Sequence, residues 1–129
     1  MIKNTTEETL IYHLCTASEW GLGKRGGWYR GSTDDINDGF IHFSTSKQLL
    51  SSFKKHHQDK DDLILVTVDS GSLGSSLIWE ISRGGDLFPH LYGKLELIKV
   101  TNVQPLPLDM HGKHFIPDEV FLDTPNLKA

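Results

Sequence analysis

Two histidines interrupt runs of apolar strand residues. His13 stands in Leu10-Ile11-Tyr12-His13-Leu14, and His42 in Phe40-Ile41-His42-Phe43-Ser44. An imidazole in such a run costs desolvation unless something uses it. His13 has two readings: a buried ring satisfied by a backbone carbonyl, or a donor into a pocket lined by the sheet. His42 shares a strand face with Ser44, and Thr45 opens a helix whose free amides suit an anion. Histidine, hydroxyl and helix start together read as a phosphate-binding corner. Glu80, beside Trp79 in Leu77-Ile78-Trp79-Glu80-Ile81, is the one carboxylate inside an apolar strand core. It can orient a ribose hydroxyl or stabilise a cationic transition state, or it can face solvent from a half-covered sheet. Asp86-Leu87-Phe88-Pro89-His90-Leu91-Tyr92-Gly93 combines a proline, two aromatics and a histidine. It reads as a loop, where binding residues concentrate, with Phe88 and Tyr92 offering stacking faces beside His90. The bland alternative is a structural turn in which Phe88 and Leu91 cap the core.

Other chemistries lack their signatures. No P-loop, dinucleotide glycine fingerprint, Cys-x-x-Cys or nucleophile elbow is present. Among the seven histidines, His111 and His114 have metal-ligand spacing but lie in a proline-flanked tail, and the adjacent His56 and His57 would diverge on a helix. No metal site is expected. Cys15, the single cysteine, reads as a small buried side chain and excludes an internal disulfide, which fits a reducing cytoplasm. Thirteen Lys+Arg against 17 Asp+Glu give a net charge of −4, which argues against general nucleic-acid binding. The longest apolar run, Leu63 to Val68, is far too short to cross a bilayer, and the polar, acidic start is unlike a signal peptide. A cytoplasmic protein without a membrane partner is the expectation.

The elements that must position these residues form a single α+β domain in 129 residues. Residues 1–8 read as a loose lead-in, 9–117 as the domain and 118–129 as a tail. A first strand over Leu10–Leu14 sets Leu10, Tyr12 and Leu14 against Ile11, His13 and Cys15. Thr16 caps a short helix through Trp20, which Gly21, Gly23, Gly26 and Gly27 should end. The segment Trp28-Tyr29-Arg30-Gly31-Ser32 should be exposed or line a groove. Asp38-Gly39 turns into the second strand, Phe40–Ser44. Thr45 and Gln48 form a capping box opening a helix with Leu49, Leu50 and Phe53 inward. Leu63–Val68, apolar on both faces, belongs mid-sheet. Leu77–Ile81 and Leu95–Val103 are further strands, and the prolines at 105, 107, 117 and 125 predict an extended tail.

These motifs together resemble domain-of-unknown-function family 952. The resemblance rests on Ile11-Tyr12-His13-Leu14, Asp38-Gly39-Phe40-Ile41-His42-Phe43-Ser44-Thr45, Trp79-Glu80, Phe88-Pro89-His90-Leu91-Tyr92-Gly93 and His111-Gly112-Lys113-His114-Phe115-Ile116-Pro117. It implies an ADP-ribosyltransferase-like fold, two small mainly antiparallel sheets with a few short helices around a central NAD-sized cleft. The Ile41–Ser44 strand is also similar to the Val-His-Leu-Ser strand of RNA 2′-phosphotransferases. By that resemblance His13 would hold the nicotinamide-side ribose, His42, Ser44 and Thr45 would form a second ligand set, and Tyr29 and Tyr92 would sandwich the nicotinamide. Arg30, Phe88 and His90 complete the expected ligand contacts. With His13, His42 and Glu80 as catalytic residues, the implied activity is ADP-ribosyl or phosphoryl transfer, or NAD cleavage. NAD would be a substrate and no resident cofactor is required. The alternative is a non-catalytic module binding a nucleotide-like ligand. A glutathione transferase label, carried by some members, has no support here, because a thioredoxin-like unit plus a helical domain does not fit in this length.

Overall fold

The computed structural model describes residues 10–56 and 62–106. The lead-in, the tail, His57, His111, His114 and the three later prolines lie outside the described residues. In chain order the elements are β1 (Leu10–Thr16), α1 (Ala17–Gly23), β2 (Lys24–Arg25), β3 (Trp28–Tyr29), α2 (Thr33–Asp38), β4 (Ile41–His42), α3 (Ser46–His56), β5 (Leu63–Asp69), β6 (Leu77–Ile81), β7 (Leu87–Leu91), β8 (Leu95–Glu96) and β9 (Val100–Pro105). The class is α+β, with antiparallel pairings throughout the described sheets and three short α-helices.

The largest sheet runs β1-β5-β9 and is organised by alternation. Ile11 and Cys15 of β1 face a core with Ile64, Val66 and Val68 of β5. Tyr12 and Leu14 face the other way, against Leu63 and Leu65 of β5 and Leu49 of α3. Because β5 is central and covered on both faces, its near-continuous apolar sequence is satisfied as expected. Each fully buried Leu or Val there contributes roughly 1.5–3 kcal/mol.

Several local expectations are corrected. The glycine at 21 does not stop α1, which runs to Gly23 behind the predicted Thr16 cap. Its capping box, closed by Glu19, outweighs one exposed glycine. Within the segment from Trp28 to Ser32, Trp28 and Arg30 are exposed as expected, but Tyr29 is completely buried in a hairpin strand. Ser32 then caps a helix that the sequence reading omits, with Asp35 answering in a second capping box. Residues 87–91 form a strand at the centre of the sheet β4-β7-β6 rather than a loop. Leu95–Val103 is broken by a 3₁₀ turn at Leu97–Lys99, so β8 joins β2 and β3 in a third sheet where two sheets were expected.

Pro89 explains how that loop-like sequence can be a strand and why β4 is so short. Its carbonyl accepts from the Phe43 amide at 3.0 Å, but a proline has no N–H to return the bond. The β4–β7 ladder therefore stops after Ile41↔Leu91 and His42↔His90. The chain crosses to β1 instead, where Tyr12 and Ser44 exchange amide hydrogen bonds of 2.8 Å. The two sheets touch through that bridge and diverge beyond it.

Gly31 holds the entry to α2, with φ of +114° and space for a Cβ only 2.6 Å from the Asp35 Cβ. Gly39, which ends α2 at φ +90°, would meet nothing within 4 Å. Gly39→Ala should therefore cost only the left-handed conformation, about 1 kcal/mol. Gly31→Ala should cost clearly more, about 3 kcal/mol, by adding the collision. Urea unfolding midpoints of the two variants check the order.

Candidate functional site

Where β1 and β4 diverge, a cleft of about 320 Å³ opens between β1, α2, β4 and β7. Its floor is organised by Asp35, a carboxylate only 2% exposed. Oδ2 accepts from the Ser32 amide at 2.7 Å, the N-cap bond that starts α2. Oδ1 accepts from the His42 amide at 3.0 Å and from His42 Nδ1 at 2.6 Å. His13 Nε2 lies 3.5 Å from Oδ2. Buried carboxylates are tolerated when paired and fully hydrogen-bonded, and this one is.

His13 is held at both nitrogens. Nδ1 donates to the His42 carbonyl at 2.8 Å, replacing a ladder bond lost where the strands part. Nε2 lies 2.7 Å from the Tyr29 hydroxyl. Burial opposes its charge, but the Asp35 carboxylate and the surrounding hydrogen bonds outweigh that and push it up to about 9. Nε2 then donates to Tyr29, whose hydroxyl lies beside Cys15 and is itself pushed up, chiefly by burial. Burial works to raise Asp35 as well, yet the His13 charge and the bonds from His42 and Ser32 hold it down to about 2. The two shifts describe one ion pair from its two ends.

A second carboxylate–histidine pair stands across the cleft. His90 Nδ1 donates to Glu80 Oε1 at 2.7 Å, and the Tyr92 hydroxyl donates to the same oxygen at 2.9 Å. Those two bonds hold Glu80 below the usual carboxylate range, and Glu80 pushes the Tyr92 hydroxyl up. Phe40 stacks on the His90 ring at 4.1 Å, and the His42 and His90 rings meet edge-on at 5.5 Å. His90 is 6% exposed and lines the cleft. With Nδ1 committed to Glu80, its Nε2 is the nitrogen left for a ligand, with no hydrogen-bond partner among the described residues.

Of the residues singled out in the sequence, His13, His42, Ser44, Phe88 and His90 line this cleft. Ser44 Oγ is bonded to Ser52 Oγ at 2.7 Å. The Thr45 hydroxyl accepts from the Gln48 amide, so it is used in capping α3. Tyr29 does not reach the cleft: it packs on Trp20 at 4.5 Å and on His13, because its hydroxyl is needed beneath the imidazole. Glu80 stands behind His90 and is not among the lining residues, while Tyr92 packs beside Phe40. Arg30 lies in a separate groove. Sequence reasoning missed Asp35, Asp38 and Asp34. The signal was available in Ser32-x-x-Asp35, a capping box before a short helix. Asp38 Oδ2 accepts from His42 Nε2 at 3.0 Å, one helical turn from Asp35. No group of three or more His, Cys, Asp or Glu among the described residues is arranged to hold a metal.

The model of the family described as protein of unknown function (DUF952) matches residues 14–103. The chain belongs to this family. A crystal structure of protein CC0527 from Caulobacter crescentus is 39% identical and has a TM-score of 0.80, covering 87% of this chain and 98% of that one. The solution structure of CC0527 gives 39% identity and a TM-score of 0.74, covering 88% of this chain and 97% of that one. No curated protein matches. The family and fold are thereby fixed, with no activity attached to the printed names. No helix among the described residues is long and apolar enough to cross a membrane.

The buried pair makes stability depend on pH from both sides. His13 sits above its ordinary 6.5, at about 9, so its contribution is complete below about pH 6.5 and fades as pH rises through 9. Asp35 sits at about 2, below its ordinary 3.8, so its contribution is complete above about pH 3.8 and is lost as pH falls from there through 2. Unfolding free energy should therefore peak between about pH 4 and 6.5, and the His13 ring should titrate near 9 by NMR. Asp35→Ala strands the His13 charge and uncaps α2. It should cost about 3–5 kcal/mol in chemical denaturation and abolish that peak.

Proposed function

We propose that the cleft binds the ribosyl end of a nucleotide-like ligand, with NAD or ADP-ribose as the leading class, and stabilises positive charge developing on the sugar. The observation that carries this reading is the charge of the lining: Asp34, Asp35 and Asp38 contribute carboxylates, and among the described residues no lysine or arginine lines the cleft. All three carboxylates stand on one wall, α2, where His13 and His42 are the rings paired with them among the described residues. Such a wall favours an oxocarbenium-like centre and disfavours a phosphate. The ADP-ribosyltransferase-like resemblance of the sequence supports the same chemistry.

In this reading the glycosidic bond to nicotinamide breaks with its electron pair leaving on the base. The carboxylates on α2 face the resulting cation. His90, oriented by Glu80, takes the proton from the acceptor hydroxyl or water as it bonds to the anomeric carbon. Glu80 thus acts through His90 and not on the sugar directly, and His13 acts by fixing Asp35 rather than by touching the ribose. The second reading, a binding module without turnover, is favoured by that same spending of His13 and Tyr29 on internal bonds.

Chromatography of NAD incubated with the protein tests the choice. Nicotinamide release above a buffer blank, lowered about 10²–10⁴-fold by His90→Gln at unchanged fold, is the expected outcome. Stabilisation of the protein by ADP-ribose without release would establish the module instead. The absence of both release and ligand stabilisation would overturn the proposal.

A further inference from the structure

A ligand with a phosphate cannot place it comfortably in a cleft walled by three aspartates. A second groove of about 340 Å³ shares Asp35, whose carboxylate is already paired with His13 and His42, and is lined by Arg30, Ile36, Phe40, Gly93 and Lys94, among others. Arg30 and Lys94 are its cations among the described residues. Both are exposed, and neither has a carboxylate within ion-pair distance among the described residues. Lys94 is placed by the Trp28 ring, 5.8 Å below its Nζ. Arg30 is anchored by its amide, which donates to the Gly23 carbonyl at 3.0 Å. Gly39 and Gly93 pass the groove with φ of +90° and +134°, and no atom stands within 4 Å of where a Cβ would be.

The two cavities share Asp35 and adjoin across one ring. Phe40 lines the groove, and it stacks on His90, which lines the cleft. Tyr92 lies against the same ring at 5.2 Å, so a continuous aromatic ridge joins the two sides.

We infer that Arg30 and Lys94 form a phosphate subsite, and that the ligand straddles the Phe40 ridge with its phosphate in this groove and its sugar in the acidic cleft. The inference rests on the proposed reading of the cleft for its second half, and on the groove alone for its first. An arginine fork and a lysine point charge together suit a pyrophosphate or a diester better than a carboxylate, which a single fork would satisfy. The negative cleft on one side and the cationic groove on the other also fix the direction in which a polar ligand enters.

Calorimetric titration with three probes tests both halves: inorganic pyrophosphate, ADP-ribose and the phosphate-free cation nicotinamide riboside. Arg30→Ala and Lys94→Ala are surface changes that should leave the circular dichroism spectrum unaltered. Each should weaken pyrophosphate and ADP-ribose about tenfold, and the double variant about a hundredfold, with little change for nicotinamide riboside. Wild-type affinity for the phosphate probes should fall as salt rises. Loss of the phosphate probes in the double variant, with nicotinamide riboside never binding, would retain the subsite and overturn the cleft reading. Equal binding of pyrophosphate and ADP-ribose by wild type and double variant, or binding of neither by wild type, would overturn the subsite.

Discussion

The carboxylate of Asp35 is the constraint on which the site depends. It begins α2 by accepting the Ser32 amide, fixes β4 through the His42 amide and ring, and neutralises the buried His13 of β1. Three elements distant in sequence are thereby referred to one pair of oxygen atoms. A buried ion pair of this kind adds little net stability against an apolar replacement, but it is costly to break by halves. Its contribution is positional, because an apolar trio could pack in several ways and this one satisfies each donor in a single arrangement.

That arrangement divides the histidines by role. His13 and His42 have their ring nitrogens taken up by protein groups, so they hold the acidic wall in place. Among the described residues His90 is tied at one nitrogen only, by a carboxylate that solvent can reach. A ring fixed in orientation with one nitrogen uncommitted is what acid–base chemistry needs. The aromatic packing of Phe40 against His42, His90 and Tyr92 keeps the two histidine pairs in a constant relation.

Much of this was legible in the sequence, and the misses have physical causes. The alternation of Leu10–Leu14, the capping boxes at Thr16 and Thr45 and the doubly apolar Leu63–Val68 are local signals, and each element formed. Both strand histidines stood out because they break an apolar run. Asp35 did not, since an aspartate among Asp34, Asn37 and Asp38 looks like a solvated surface, and its burial is set by contacts with β1 and β4. Tyr29 was misread for the converse reason: flanking glycines and arginines suggested exposure, while the hairpin turned its ring inward. Proline at 89 argued for a loop. The sheet accepts it because β4 ends at the rung where its N–H would have been needed.

The missing N–H of Pro89 has a mechanical result. With the β4–β7 ladder cut short, the chain just after β4 meets β1 through the paired amides of Tyr12 and Ser44, while each strand belongs to its own sheet. Beyond that rung the two sheets are joined by side chains: the His13–Asp35–His42 group and an apolar core that Ile11 of β1 shares with Ile41 and Phe43. The width of the cleft is thus set by packing and charge pairing where a continuous sheet would set it by a ladder. A substitution that breaks the buried pair therefore alters the spacing of the two sheets together with the charge between them.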